Sequence, residues 1–98
     1  MTVYVLAQLR FTDRAAYDRY QARFMAVMAP FKGRVLAADE APLVMEGTWD
    51  RQKAVLISFP DEASCRDWAR SPEYLEISKD RKAGSDAVVL MLKGFGAP

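Results

Sequence analysis

Three runs of this chain are apolar on both of the faces that a β-strand presents. VYVLAQLRF (residues 3–11) sets Val3, Val5, Ala7 and Leu9 against Tyr4 and Leu6. KAVLISF (53–59) sets Val55, Ile57 and Phe59 against Ala54 and Leu56, and AVVLMLK (87–93) sets Val88, Leu90 and Leu92 against Val89 and Met91. Alternate strand residues face opposite sides, so a sheet of these strands has no polar face. Ninety-eight residues form one domain (1–98), near the small end of what buries its own core. Two helices cover one face of such a sheet. The other would be a wet apolar surface larger than the few hundred Å² a monomer usually exposes. The expectation is a homodimer packed sheet to sheet, through an interface of roughly 2,000 Å² or more in total.

The helices are legible between the strands. After strand 1, Tyr17, Tyr20, Phe24, Val27, Met28 and Phe31 recur at helical spacing, one apolar stripe. Asp13 is the expected N-cap, and Pro30 with Gly33 ends the helix. Arg34 to Asp39 reads as a short strand. The Asp39-Glu40-Ala41-Pro42 stretch reads as a turn that leads back through a hairpin strand, Leu43 to Gly47. Asp61 caps the next helix, which Ser71-Pro72-Glu73 restarts with a capping serine, a proline at the first helical position and an acid in the first turn. Gly84 ends it, and Gly94 to Pro98 reads as a loose tail. The order is βαββαβ, an α+β, ferredoxin-like antiparallel sheet with two helices on one face.

Composition removes whole classes of function. Lys+Arg number 14 and Asp+Glu 13, a net charge of +1, so no long-range field attracts nucleic acid or an anionic membrane. Neither is expected as a partner. The chain has no histidine, which excludes histidine-based general base catalysis, proximal-histidine haem binding and histidine-containing metal sites. No acidic cluster has metal-ligand spacing and no glycine-rich phosphate loop is present, so neither metal nor cofactor is expected. The single cysteine, Cys65, forms no internal disulfide, fitting a reducing, cytoplasmic setting. The opening MTVYVLAQLRF carries no basic leader and is expected to be the first structural element. No run approaches the ~20 apolar residues of a transmembrane helix.

Several of these residues occur together in a known family. The strand-1 opening, Asp13 with Tyr17 and Tyr20, Gly33-Arg34, Glu46-Gly47 with Trp49, Phe59-Pro60, and Trp68 before Ser71-Pro72-Glu73-Tyr74 resemble a small uncharacterised family of the dimeric α/β-barrel superfamily. Its relatives include antibiotic-biosynthesis monooxygenases and muconolactone isomerases. The likeness covers nearly the whole chain and implies the ferredoxin-like fold and the sheet-to-sheet dimer. The first helix often begins Asp-Pro in that family and here reads Asp13-Arg14. The family brings no established reaction, and the histidines used by several relatives are absent, so no catalytic residue is carried over.

Five residues are candidates for ligand binding. Arg34 and Glu46 end the expected hairpin strands. They share a face if the turn centres on residue 40 and point apart if it centres half a residue later. A shared face gives an ion pair, or an arginine for a substrate carboxylate with the glutamate as base. Trp49 in the turn is a pocket lid or a packing contact. Tyr20, on the buried stripe, and Tyr74, beyond the Ser71 break, carry hydroxyls that need partners when buried. Cys65, beside only Arg66, reads as a small core residue.

Two functions follow. One is a dimeric small-molecule-binding protein, as an oxygenase or isomerase without cofactor, acting on an apolar or aromatic ligand. The alternative is a non-catalytic dimeric interaction or regulatory module. A cavity lined by Tyr20, Arg34, Glu46 and Tyr74 distinguishes them.

Overall fold

The structure is a computed structural model and describes residues 1–95. Its elements are β1 (Val3–Phe11), α1 (Arg14–Met28), a 3-10 turn (Ala29–Phe31), β2 (Arg34–Asp39), β3 (Lys53–Phe59), α2 (Glu62–Arg70), α3 (Pro72–Gly84) and β4 (Ser85–Lys93). The sheet order is β2-β3-β1-β4 with every pair antiparallel. This is the expected α+β, ferredoxin-like order, with the second helix divided in two at Ser71.

The caps explain where the helices start. The Asp13 carboxylate accepts from the Ala15 and Ala16 N–H groups, and Asp61 accepts from Ser64 N–H at 2.7 Å. Gly84 ties the end of α3 to the start of α1: its carbonyl accepts from Thr12 and Asp13 N–H at 2.9 and 3.1 Å. A Cβ there would stand 2.5 Å from the Tyr17 nitrogen, so only glycine allows the approach. The expected loose tail is pinned at its first residue, where Gly94 N–H donates to the Thr2 carbonyl at 2.9 Å. Residues 96–98 lie outside the described residues.

The strands divide as their alternation requires. Val3, Val5, Leu9, Ile57 and Phe59 are buried beneath the helices. On the open face, cross-strand register forms three rows. Leu92, Tyr4, Ser58 and Arg34 make one; Leu90, Leu6, Leu56 and Ala37 the middle one; Val88, Gln8, Ala54 and Asp39 the third. Leu90 is 43% exposed and Val88 and Leu92 similarly so, which leaves the β4 side of an apolar face without cover in one chain.

The expected hairpin is absent. Leu43–Gly47 forms no strand; β2 pairs directly with β3, with an irregularity in register between Val35 and Ala37. β2 keeps a free outer edge, but Pro42 at the start of the return brings no N–H to a ladder there. Residues 42–49 instead lie across the open face, where they line a shallow groove with Leu6, Gln8 and Ala54. No helix among the described residues is long and apolar enough to cross a membrane.

Candidate functional site

Between the sheet and the helices lies a cavity of about 260 Å³. Its floor comes from the helix-facing residues of β1 and β3, and its roof from Tyr17, Tyr20 and Phe24 of α1, Trp68 of α2, and Tyr74 and Arg81 of α3. Half-exposed Val89 and exposed Met25 also belong to the lining. The helices cover β1 and β3 more fully than edge strand β4, where Val89 keeps 48% of its surface.

Ser71 sets the aromatic part of the roof. It ends α2 and caps α3: its hydroxyl donates to the Trp68 carbonyl at 2.9 Å and accepts from Tyr74 N–H at 3.1 Å. The two rings so placed have centroids 4.2 Å apart, and Trp68 also packs 5.3 Å from Phe59 and 6.1 Å from Phe24. The Tyr74 hydroxyl lies 3.3 Å from that of Tyr20. One hydroxyl donates to the other, so one hydrogen of the pair remains unshared.

Two further donors in this wall have no partner among the described residues: Trp68 Nε1 and Arg81 Nε, both fully buried. Buried polar groups are paired in the large majority of cases, so two orphan donors on residues of one cavity wall stand out as a local departure. Lys53 is the other cation of the lining, with 6% of its side chain exposed. Its ammonium donates to Gln21 Oε1 at 3.2 Å, stands 3.8 Å from Glu40 Oε2 and sits 4.9 Å over the Tyr17 ring. Glu40 in turn receives a two-pronged bond from Arg14 at 2.7 and 2.8 Å, and Arg14 also pairs with Asp18.

Burial governs the titration of the site. It pushes the Tyr17 phenol up to about 12 and raises Tyr20 as well, with help from Tyr74. Both therefore act as neutral donors near pH 7 and not as bases. Burial lowers Lys53, with Glu40 opposing. The Cys65 thiol is raised by burial, in keeping with a core residue. No group of three or more His, Cys, Asp or Glu side chains that could hold a metal occurs among the described residues.

Of the five candidates, the structure brings together Tyr20 and Tyr74 in this cavity. Trp49 stands on the opposite face of the sheet, its indole N–H donating to Gln8 Oε1 at 2.8 Å. Glu46 lines the groove beside it, and Arg34 occupies the open-face row of Ser58. Arg34 and Glu46 form no ion pair among the described residues, because the hairpin that would oppose them does not form. The single cavity lined by Tyr20, Arg34, Glu46 and Tyr74 is thus corrected to two separate surfaces. Sequence reasoning passed over Lys53 and Arg81. Both carried a signal: Lys53 alternates with partly buried Val55 and buried Ile57 and Phe59, and Arg81 follows Tyr74 and Ile77 at helical spacing.

A family model described as "Domain of unknown function (DUF1330)" matches residues 2–95. The chain belongs to this family. The DUF1330 domain is similar in structure to a protein of unknown function from Rhodopseudomonas palustris, with a TM-score of 0.82 and 20% identity, covering 98% of this chain and 84% of the other. SnoaB, a cofactor-independent oxygenase from Streptomyces nogalater, gives a TM-score of 0.70 at 16% identity, covering 98% and 95%. A dimeric ferredoxin-like protein of unknown function from Jannaschia sp. CCS1 gives 0.69 at 17%, covering 96% and 100%. At these identities the likeness concerns the fold, and it agrees with the dimeric α/β-barrel superfamily that the sequence motifs resemble. No curated protein matches the chain at a significant level.

Proposed function

We propose that this DUF1330 domain is a homodimer that binds a small apolar or aromatic molecule in the cavity between sheet and helices. The observation that carries the reading is a largely apolar cavity whose wall includes Trp68, a 4% exposed residue whose indole N–H has no partner among the described residues. A fixed donor in an apolar, pre-formed pocket is the usual means of orienting a small ligand. The dimer rests on exposed Val88, Leu90 and Leu92 on the open face and on the dimeric state of the Jannaschia neighbour. We infer a cytoplasmic setting, without nucleic acid or membrane as partner, a reading supported by the lone cysteine and the near-neutral charge.

The enzymatic form of this reading is a cofactor-independent oxygenase or isomerase. Its supports are the fold shared with SnoaB and a donor set suited to a developing oxyanion. The alternative, a non-catalytic interaction or regulatory module, draws on the exposed Leu43 and Met45 that residues 42–49 carry on the open face. Native mass spectrometry of gently isolated protein tests the reading. A dimer with a reproducible small-molecule mass supports it. A monomer removes the dimer, and failure of the protein to bind any aromatic fragment saturably removes the pocket.

A further inference from the structure

The electrostatics of the cavity go further than its shape. Among the residues that line it are two cations, Lys53 and Arg81, and no carboxylate. Lys53 and its neighbour Arg14 are balanced nearby by Glu40 and Asp18. Arg81 enters no ion pair among the described residues. Its position in the last turn of α3 suits the negative end of the helix. That role asks only for a solvated charge, whereas here Nε is buried without a partner. The guanidinium is also close enough for its charge to oppose the raised values of Tyr17 and Tyr20.

The remaining polar groups point the same way. Trp68 offers an N–H, Arg81 an Nε–H, and the Tyr20–Tyr74 pair one unshared hydroxyl hydrogen. The amide oxygen of Gln21 is already taken by Lys53. Trp68 and Arg81 are donors with no acceptor capacity of their own, so a molecule that pairs with them must bring acceptor oxygens. A guanidinium without a counter-ion favours those oxygens when they carry negative charge, and its planar edge matches a carboxylate. Size narrows the class: about 260 Å³ falls just under the roughly 300–1,000 Å³ of ordinary ligand sites, space for one or two rings.

We infer that the cavity takes a small aromatic carboxylate, with Arg81 and the Trp68 N–H receiving the acid group and the Tyr74 and Tyr20 rings holding its aromatic part. This rests on the small-molecule reading above and assigns its ligand class.

The test compares 2-naphthoate with its uncharged isostere 2-naphthamide by titration calorimetry at pH 7, using the full chain. The acid is expected to bind at least about tenfold more tightly, the scale of one charge-assisted hydrogen bond. Arg81→Met should remove that preference while changing amide affinity less than about twofold, and Arg81→Lys should keep part of it. Thermal melts of each variant establish that it is folded, and the wild-type comparison stands without them. Equal affinity for acid and amide, or an acid preference that survives in Arg81→Met, overturns the assignment and leaves the pocket intact. Saturable binding of neither compound overturns both readings.

Discussion

Replacing Trp68 with Phe separates a ligand donor from a packing residue. The indole is 4% exposed and contacts Tyr74, Phe59 and Phe24. Shrinking it to a phenyl ring gives up roughly 50 Å² of buried ring surface, about 1.3 kcal/mol at ~25 cal/mol per Å². The same change removes an N–H that is buried without a partner, and leaving such a group unsatisfied costs about 1–3 kcal/mol. The two effects oppose each other and nearly cancel, so Trp68→Phe should stay within about 1 kcal/mol of the parent, or roughly 4–8 °C in Tm. Binding has no such compensation. A hydrogen bond to a charged acceptor contributes about 1.5–3 kcal/mol, so 2-naphthoate affinity should fall roughly ten- to a hundredfold. Calorimetry and thermal melts on the same preparations measure both quantities. Unchanged naphthoate affinity at unchanged stability would show that the N–H donates to no ligand. A loss of stability beyond about 3 kcal/mol would show that packing had been the whole of its role.

Three other consequences follow from the same structure. Leu90→Asp places a charge at the centre of the open face opposite Leu6; burying it unpaired costs about 3–5 kcal/mol, so light scattering at low micromolar concentration should find a dimer for the parent and a monomer for the variant. A variant that remains dimeric would move the interface elsewhere. Ser71→Ala loses the cap of α3 and the bond to the Trp68 carbonyl, which should cost about 1–2 kcal/mol in thermal or urea unfolding. At high pH, folding holds Tyr17 and Tyr20 protonated while the unfolded chain loses those protons from about pH 10. Their contribution is complete below pH 10 and is lost as pH rises toward about 12 for Tyr17, so stability should fall across that window. Lys53, lowered in the fold, has the opposite sign and adds stability as pH approaches its unfolded value. Tyr17→Phe should flatten the decline in urea titrations at pH 9 to 12.

Much of the fold was legible because its signals are local. β1, β2 and β3 run over the residues their apolar patterns mark, β4 begins two residues early, and Asp13, Asp61 and Ser71 cap where their side chains reach the next N–H groups. The site was less so. Leu43-Val44-Met45 has the composition of a strand, but Pro42 opens it without an N–H for a ladder on the free edge of β2, and the segment lies against the open face instead. Pairing Arg34 with Glu46 depended on the same missing hairpin. Tyr20 and Tyr74 were found as hydroxyls on buried faces. Lys53 and Arg81 needed the further step of asking which charged residues share those faces, and the lack of a partner for Arg81 Nε depends on three-dimensional neighbours that spacing alone does not supply.

The two tryptophans allow the central claim, a ligand cavity roofed by Trp68, to be tested inside one spectrum. Trp49 and Trp68 give separate indole N–H signals from opposite faces of the sheet, the first bonded to Gln8 and the second, on the cavity wall, without a partner among the described residues. Nuclear Overhauser contacts from 2-naphthoate ring protons to each indole of ¹⁵N-labelled protein locate the bound molecule directly. The account expects saturable contacts to the Trp68 indole and none to that of Trp49. Contacts to Trp49 alone at saturation would place the ligand on the open face and contradict it.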